Sequence, residues 1–509
     1  MRNCLLLLCL FVLTACNTPS TVTNAAEKPV EFIVLQMNDV YEIAPLEGGK
    51  AGGLARVATV RQELLRENPN VIAVLAGDFL SPSFLGTMKI ENEEGKREKI
   101  AGLQMVETLN ALGLDYVTFG NHEFDISDPA LLEKRIAQSD FAWTVCNANY
   151  VGENGGERAF MQGDKPVPPY IVHPIITAGG KTIRVGILGV VLPFTQLPYI
   201  KYDDVNESFR RTLAELKPVS DLQLAITHNN LDEDIELAEK VPGVPLFLGG
   251  HEHANLSRYV GSTIITKADA NAKTVYIHRV RFDPATGMTN VRSELKTIDD
   301  TIAEEPKTKA VVDKWLGQVY GLMTDMGYDA EQVVMTMDEP LVCKEYLIRT
   351  SQTNYGQLTM KSIARAFPDA DLYALNSGSM RLDDNLFNTV TEYDVLRTFP
   401  YGGNFVTLEM PGNVVSKLLE TGMKTNYGEG GYLQLLGNSP DGKRINGQPI
   451  VPTQTYKVVM PAFMAGGNEA NLEFLKDYLK GEPVEMVTIG GKTVKNDLRD
   501  LVIDYMRTL

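Results

Sequence analysis

The chain has 509 residues, 44% of them apolar and 22% charged, and a formal charge of −17 at pH 7, which is enough length for two or three domains with full cores. An acidic balance without a basic cluster excludes DNA, RNA or an anionic membrane face as a partner held by the protein's own charge, because Lys and Arg must neutralise phosphates there; a small anionic substrate stays open if metal ions supply the positive charge. Of five cysteines only Cys146 and Cys343 lie beyond residue 16, so no disulfide framework or cysteine metal site is readable, and these two read as buried small hydrophobes.

In chain order, Arg2 and the apolar run over 5–13 form a charged n-region and an h-region too short to span a bilayer, an export signal over residues 1–15. It ends Leu13-Thr14-Ala15-Cys16, which resembles the bacterial lipobox and implies cleavage before Cys16 and lipidation of that residue. Residues 16–29 are rich in Thr, Asn, Ala and Pro and read as a flexible tether. From 30 to 296 strand-like and helix-like runs alternate. Strands are expected over 33–37, 71–75, from Tyr116, and over 143–146, 183–191, 222–227 and 246–248. Helices are expected over 54–67, 103–112, 129–138, 206–216 and 232–239. Residues 263–268 and 274–282 read as antiparallel strands that close the layer, giving a sandwich of sheets flanked by helices. A polar stretch over 297–308 with Pro306, then a helix over 310–326, marks a boundary and a connector, segment 297–330, which could act as a hinge. A second α/β unit over 331–509 follows, with helices at 356–366, 413–421 and 471–480 and strands at 371–375, 405–409 and 456–460.

The chemistry gathers where the first unit's strands end. Asn38-Asp39, Gly77-Asp78, Gly120-Asn121-His122-Glu123, Thr227-His228-Asn229 and Gly249-Gly250-His251-Glu252-His253 all follow apolar runs, and open α/β sheets collect ligands at the carboxyl ends of their strands. The chain has six histidines, and four of them sit at these ends. Asp and Asn oxygens with neutral imidazoles suit two divalent ions, which could clamp a phosphate and lower the pKa of a bound water for attack at phosphorus. His122 followed three residues later by Asp125 is suited to proton transfer. His173, before a proline, and His278, alternating along a strand, read as surface or core histidines.

In that order the five segments resemble the calcineurin-like metallophosphoesterase superfamily, across nearly all of residues 31–280. The resemblance implies a four-layer β-sandwich flanked by helices over 30–296 and two divalent ions (Zn, Mn, Co or Mg). Asp78 would bridge them, with Asp39 and His253 on one, and Asn121, His228 and His251 on the other. His122, oriented by Asp125, would act on the transition state or the leaving group. Where the superfamily's first motif runs Asp-x-His this chain has Asp39-Val40-Tyr41, so Tyr41 stands in a ligand position with a phenol, a poorer cation ligand than imidazole.

In the last third, Arg349 and Arg381 each lie near a glycine-permitted turn suited to gripping an anion, and Tyr401 and Phe463 each precede glycines on loops, where two rings could sandwich a flat base. These motifs resemble the C-terminal substrate-binding domain of the periplasmic 5'-nucleotidase family, whose members also hydrolyse nucleotide sugars and, in some cases, cyclic nucleotides. By that resemblance Arg349 and Arg381 hold the substrate, Tyr401 and Phe463 stack on the base, and Asn404 and Asn468 hydrogen-bond base or ribose. Glu345 replaces an arginine of the pattern, Gly402-Gly403 is one residue longer than usual, and Asn468 stands where Asp is common.

The expectation is an exported, lipid-anchored phosphohydrolase, monomeric and extracytoplasmic, with a nucleotide as its small-molecule substrate and no nucleic-acid polymer as partner. It would use two divalent ions to dephosphorylate nucleoside 5'-monophosphates. A 2',3'-cyclic phosphodiesterase or UDP-sugar pyrophosphatase is the alternative within enzymes. From another class the alternative is a nucleoside-binding surface lipoprotein with impaired catalysis, which Tyr41 and Glu345 favour.

Overall fold

The strand Val30–Met37 is buried along nearly its whole length, the pattern of a strand covered on both faces. Successive side chains alternate between those faces. Phe32 and Val34 share a core with Ile183, Val185, Ile187, Leu224 and Ile226 of a second sheet, whereas Ile33, Leu35 and Met37 belong to the core beneath the helix Leu54–Glu67. The computed structural model describes residues 29–91, 95–177 and 180–509; the expected signal peptide, Cys16 and all of the tether but Pro29 lie outside the described residues.

The first sheet has six strands in the order Met288–Thr297, Thr274–Asp283, Val30–Met37, Val71–Leu75, Tyr116–Val117, Ala142–Trp143, the last four parallel. The second runs Tyr170–Ile176, Thr182–Val191, Leu222–His228, Leu246–Gly249, Thr263–Lys267, Leu256–Val260, its middle four parallel. Helices Leu54–Glu67, Leu103–Leu112 and Pro306–Asp325 share the core outside the first sheet. Val205–Leu216 and Leu231–Lys240 cover the second through Phe209, Leu213, Leu216 and Leu237. The expected four layers are present, and the parallel strands of both sheets deliver their carboxyl ends to one edge.

Several local expectations differ from the structure. Residues 263–268 and 274–282 do not pair with each other. Thr263–Lys267 runs parallel to Leu246–Gly249 in the second sheet, while Thr274–Asp283 lies antiparallel to Val30–Met37 in the first. The intervening turn Ala270–Ala272, with Asn271 at φ 57, carries the chain from one sheet to the other. The strand from Tyr116 is only two residues long, and the helix expected over 471–480 is a tighter 3-10 segment, Glu473–Tyr478.

In the last third, a four-stranded sheet runs Phe405–Pro411, Thr455–Pro461, Leu372–Asn376, Leu433–Leu436. Gly412–Glu420 packs on one face through Val415, Leu418 and Leu419. Asn354–Ala366 and Leu498–Met506 bury Tyr355, Met360, Leu501 and Val502 in the large core that also holds Trp315 of Pro306–Asp325. The connector is therefore a packed helix, and Trp315 Nε1 donates to Glu107 Oε2 at 2.9 Å. Among the described residues no helix is long and apolar enough to cross a membrane.

Candidate active site

Met37, Leu75 and Val117 are neighbours in the first sheet, as are Val191, His228 and Gly249's partner Thr227 in the second. The loops after them therefore converge. Asp39, Asp78, His251 and His253 all sit at positive φ, of 52, 57, 94 and 57°, a conformation that L side chains rarely adopt and that concentrates at functional sites. The glycines make room for them: a Cβ on Gly120 would stand 2.1 Å from Asp78 Oδ1, and one on Gly77 2.4 Å from Gly120 N.

Asp39, Asp78 and His228 are buried, and each offers one ligand atom within 4.8 Å of the others. Asp39 Oδ2 accepts from Asn38 Nδ2 and from His251 N, both at 2.8 Å. Asp78 Oδ1 accepts from His122 N at 2.7 Å, and its Oδ2 lies 3.2 Å from His228 Nε2. His228 Nδ1 donates to the Ala76 carbonyl at 2.6 Å, which turns Nε2 toward the carboxylates. Asp39 Oδ1 and His228 Nε2 have no hydrogen-bond partner. Ion-pair neighbours at 3.2 Å (Asp78 for His228) and 3.4 Å (His253 for Asp39) face these two atoms; divalent cations would satisfy them, and the oxygen and imidazole donors present fit such ions.

The other expected ligands lie around this group. Asn121 Oδ1 is 3.2 Å from His251 Nδ1. Tyr41 directs its hydroxyl at Asp78 Oδ2, 3.1 Å away, and at His253 Nε2, 2.9 Å away. His253 Nε2 is also 3.4 Å from Asp39 Oδ1. His122 Nδ1 meets Asp125 Oδ2 at 2.8 Å, and Ser81 Oγ donates to that same oxygen at 3.1 Å.

The electrostatics follow from burial set against partners. Burial alone would raise Asp39 and Asp78, yet the neighbouring imidazoles hold both below the ordinary carboxylate range. Burial opposes a charge on His228, but the two carboxylates push it up to about 9; His251, partly buried and beside His228, falls to about 3 through desolvation and then the His228 charge. His122 is raised despite its burial, by Asp125 and Asp78. Burial first, then the charges of Asp78 and Asp39, lift the Tyr41 hydroxyl well above its usual value, so in the metal-free chain it is a neutral phenol.

The second unit reaches into this site. A small cavity, too tight in this conformation to hold a free water, is bounded by Tyr41, Pro82, His122 and His253 from the first unit and by Glu345, Arg381 and Asp383 from the second. Arg349 Nη1 is 2.9 Å from Glu345 Oε1, so the carboxylate four residues earlier engages it. Burial opposes charge on Glu345, but Arg349 and His253 draw it down to about 2. Tyr401 and Phe463 are each 53% exposed, which leaves ring surface free for a ligand. Tyr401 also borders a larger cavity, about 410 Å³, that reaches Asp125 and Ser81. Asn404 is half-buried, and its carbonyl accepts from Ala462 N at 2.8 Å; Asn468 is exposed, and its Nδ2 turns back to the Phe463 carbonyl at 3.2 Å. The structure thus brings Arg381 to the cluster, and places the base-stacking candidates outside the small cavity.

Three supports escaped the sequence reading. Glu123, fully buried, accepts from the backbone N–H of Asp78, Phe79, Leu80 and Gly120 at 2.6–3.0 Å and so ties two site loops together. Its place inside Gly120-Asn121-His122-Glu123 was the available signal. Buried Lys267 meets Asp234 and Glu252 at 3.2 and 2.6 Å and donates to the Asn229 carbonyl, bracing the loops that carry His228 and His251. Asp383 meets His253 across the two units. His278 is a core histidine, bonded to Ser293 and Gln36, and His173 pairs with the Tyr116 hydroxyl. Cys146 and Cys343 are buried free thiols.

The profile for "Calcineurin-like phosphoesterase" matches residues 32–255, and that for "5'-nucleotidase, C-terminal domain" matches 333–477. The 5'-nucleotidase of Bos taurus is 23% identical, with 89% of this chain and 86% of the relative covered. The snake venom 5'-nucleotidase of Gloydius brevicauda is 25% identical over 88% of this chain and 83% of its own. Among solved structures, a 5'-nucleotidase precursor from Thermus thermophilus superposes with a TM-score of 0.72 at 20% identity, covering 94% of this chain and 96% of the other, which bears on the fold. With a phosphoesterase unit followed by a nucleotidase C-terminal unit, the chain belongs to the 5'-nucleotidase family of metal-dependent phosphoester hydrolases.

Proposed function

We propose that this protein hydrolyses the phosphate ester of extracytoplasmic nucleoside 5'-monophosphates, with two divalent ions in the first unit and the nucleoside held by the second. The observation that carries the reading is the buried group Asp39, Asp78 and His228, two of its atoms without a hydrogen-bond partner, set beside a cavity that Arg381 and His122 share. Asp78 would sit between the ions, with Asp39, Tyr41 and His253 on one, and Asn121, His228 and His251 on the other. When bound, such ions polarise a phosphoryl group and make water a nucleophile at neutral pH.

The remaining work falls to the chain's own groups. Arg381 neutralises substrate charge at the cavity wall. His122, its Nδ1 engaged by Asp125, carries a proton on Nε2 and delivers it to the leaving 5'-oxygen. Tyr401 and Phe463 offer their free ring faces to the base, Asn404 and Asn468 serve base or ribose, and Arg349 steadies the phosphate side through its pairing with Glu345. Cleavage before Cys16 and its lipidation would anchor the enzyme to a bacterial membrane, in the periplasm or at the cell surface, as a monomer.

The test is phosphate and nucleoside release from AMP, UDP-glucose and a 2',3'-cyclic nucleotide by metal-stripped protein refilled with Zn²⁺, Mn²⁺, Co²⁺ or Mg²⁺. Metal-restored turnover of AMP that His122→Ala lacks is expected. Faster turnover of UDP-glucose or the cyclic nucleotide would transfer the assignment to those substrates, and nucleoside binding without turnover under any metal would overturn catalysis.

A further inference from the structure

The imidazoles at the site differ in where their outer nitrogens are held. His228 Nδ1 is fixed by the Ala76 carbonyl at 2.6 Å, and His251 Nδ1 lies 3.2 Å from Asn121 Oδ1. Both partners belong to the first unit. His253 is different: its Nδ1 faces Asp383 Oδ2 at 2.9 Å, with Glu345 Oε2 3.8 Å away, and both carboxylates come from the second unit. The Asp383 contact is a built junction. Asp383 is buried, at φ 46; its Oδ1 accepts from Glu345 N at 2.8 Å, and its carbonyl accepts from Lys273 Nζ of the first unit at 3.0 Å. It follows Arg381 by two residues, so substrate engagement and this junction share one loop.

We propose that Asp383 is a positioning residue that makes the two metal sites unequal, the site containing His253 reaching full affinity only when the second unit is docked on the first. This rests on the two-ion reading above. By accepting from Nδ1–H, Asp383 leaves Nε2, which faces Asp39 Oδ1 and the Tyr41 hydroxyl, as the nitrogen that would give up its proton to an ion, and it limits rotation of the ring. The site is the one that already has a phenol in place of an imidazole, so it has least affinity to spare. The coupling is reciprocal: whatever docks the units tightens that ion, and the ion favours docking. A nucleotide gripped by Arg381 would therefore retain the ion.

The experiment is calorimetric and EPR titration of metal-stripped protein with Mn²⁺, with and without a non-hydrolysable nucleoside 5'-phosphonate. Wild-type protein is expected to show a tight and a weaker class, the weaker one tightened by the phosphonate. Asp383→Ala should weaken the weaker class about 10- to 100-fold, keep the tight class within about twofold, and abolish the phosphonate effect. Asp383→Asn keeps the side chain's size and can satisfy only one of its two partners, so it should weaken the same class if the alanine variant fails to fold. Equal shifts in both classes, or none in either, would overturn the inference and leave the two-ion reading intact. A wild-type protein that lacks two Mn²⁺ classes would overturn both.

Discussion

Glu123→Gln tests whether the site is held up by one buried carboxylate. Oε2 accepts from Asp78 N at 2.8 Å and Gly120 N at 2.6 Å, and Oε1 from Phe79 N at 2.7 Å and Leu80 N at 3.0 Å. Glutamine has one acceptor oxygen, so in either amide orientation one pair of N–H groups faces an NH₂. Two buried donors unsatisfied at about 1–3 kcal/mol each predict about 2–6 kcal/mol of destabilisation, a large share of the 5–15 kcal/mol typical of a domain. The midpoint of guanidinium unfolding should fall accordingly, and Mn²⁺ affinity with it, because the lost bonds set the backbone that carries Asp78 and Asn121. Burial and the charge of Asp78 push Glu123 up to about 7, so its four N–H donors are what favour the carboxylate there. An unchanged midpoint together with unchanged Mn²⁺ affinity would refute the reasoning, since it would mean the two loops hold their positions without Glu123.

Gly120→Ala should abolish metal binding in a calorimetric titration, since its Cβ would fall 2.1 Å from Asp78 Oδ1 and 2.6 Å from Asp78 N, and retained affinity would contradict the packing. His122→Ala should lower kcat for AMP about 10²- to 10⁴-fold with the Mn²⁺ isotherm unchanged; a parallel loss of metal would reassign His122 to the support of the ions. Tyr401→Ala should raise KM for AMP about tenfold, from stacking worth about 1–3 kcal/mol, and leave p-nitrophenyl phosphate hydrolysis unaltered; equal losses on both substrates would deny a base contact. Burial lowers His278 from an ordinary 6.5 to about 3, so the unfolded chain binds the extra proton first. Its contribution to stability, on the order of a few kcal/mol, is complete above about pH 6.5 and lost as pH falls toward about 3. His278→Gln should flatten that part of the unfolding-versus-pH curve, and an unaltered slope would count against the assignment.

Where function depended on one segment at a time the sequence was readable. Apolar runs such as Val71–Leu75 and Leu246–Gly249, buried at every position, announce central strands by composition, and the polar residues after them mark the sheet edge where a ligand binds. Met288–Thr297 escaped notice because an edge strand half exposed to solvent needs no apolar run; Thr-Asn-Val-Arg-Ser-Glu alternates too weakly to stand out. The separation of 263–267 from 274–283 into different sheets turns on Asn271 at positive φ, whose Oδ1 also accepts from Tyr41 N at 2.9 Å, a role that spacing does not reveal. Glu123 and Asp383 were hidden for a different reason. One serves backbone amides 43–45 residues away as well as Gly120, the other an imidazole 130 residues away, and neither partner leaves a mark on local periodicity.

The charge balance ties these observations together. A phosphate monoester would enter a site walled by Asp39, Asp78, Glu345 and Asp383, in a chain of net charge −17. At about 4 Å and an effective dielectric of about 20, each unit charge repels another by about 4 kcal/mol, so Arg381 alone cannot offset two or more carboxylates. The charge of Arg349 is already offset by Glu345 at 2.9 Å, so it steadies the phosphate side without adding net positive charge there. In the metal-free site the protonated imidazoles, His228 above all, hold Asp39 and Asp78 below the carboxylate range and balance them, which leaves no surplus positive charge for a phosphate. Divalent ions reverse the sign of the field at the point where the phosphate must sit. The pairing of Glu345 with Arg349 then has a clear consequence: it shifts the burden of holding the anion from the second unit's side chains to the ions of the first, so substrate affinity in this chain should follow metal occupancy closely.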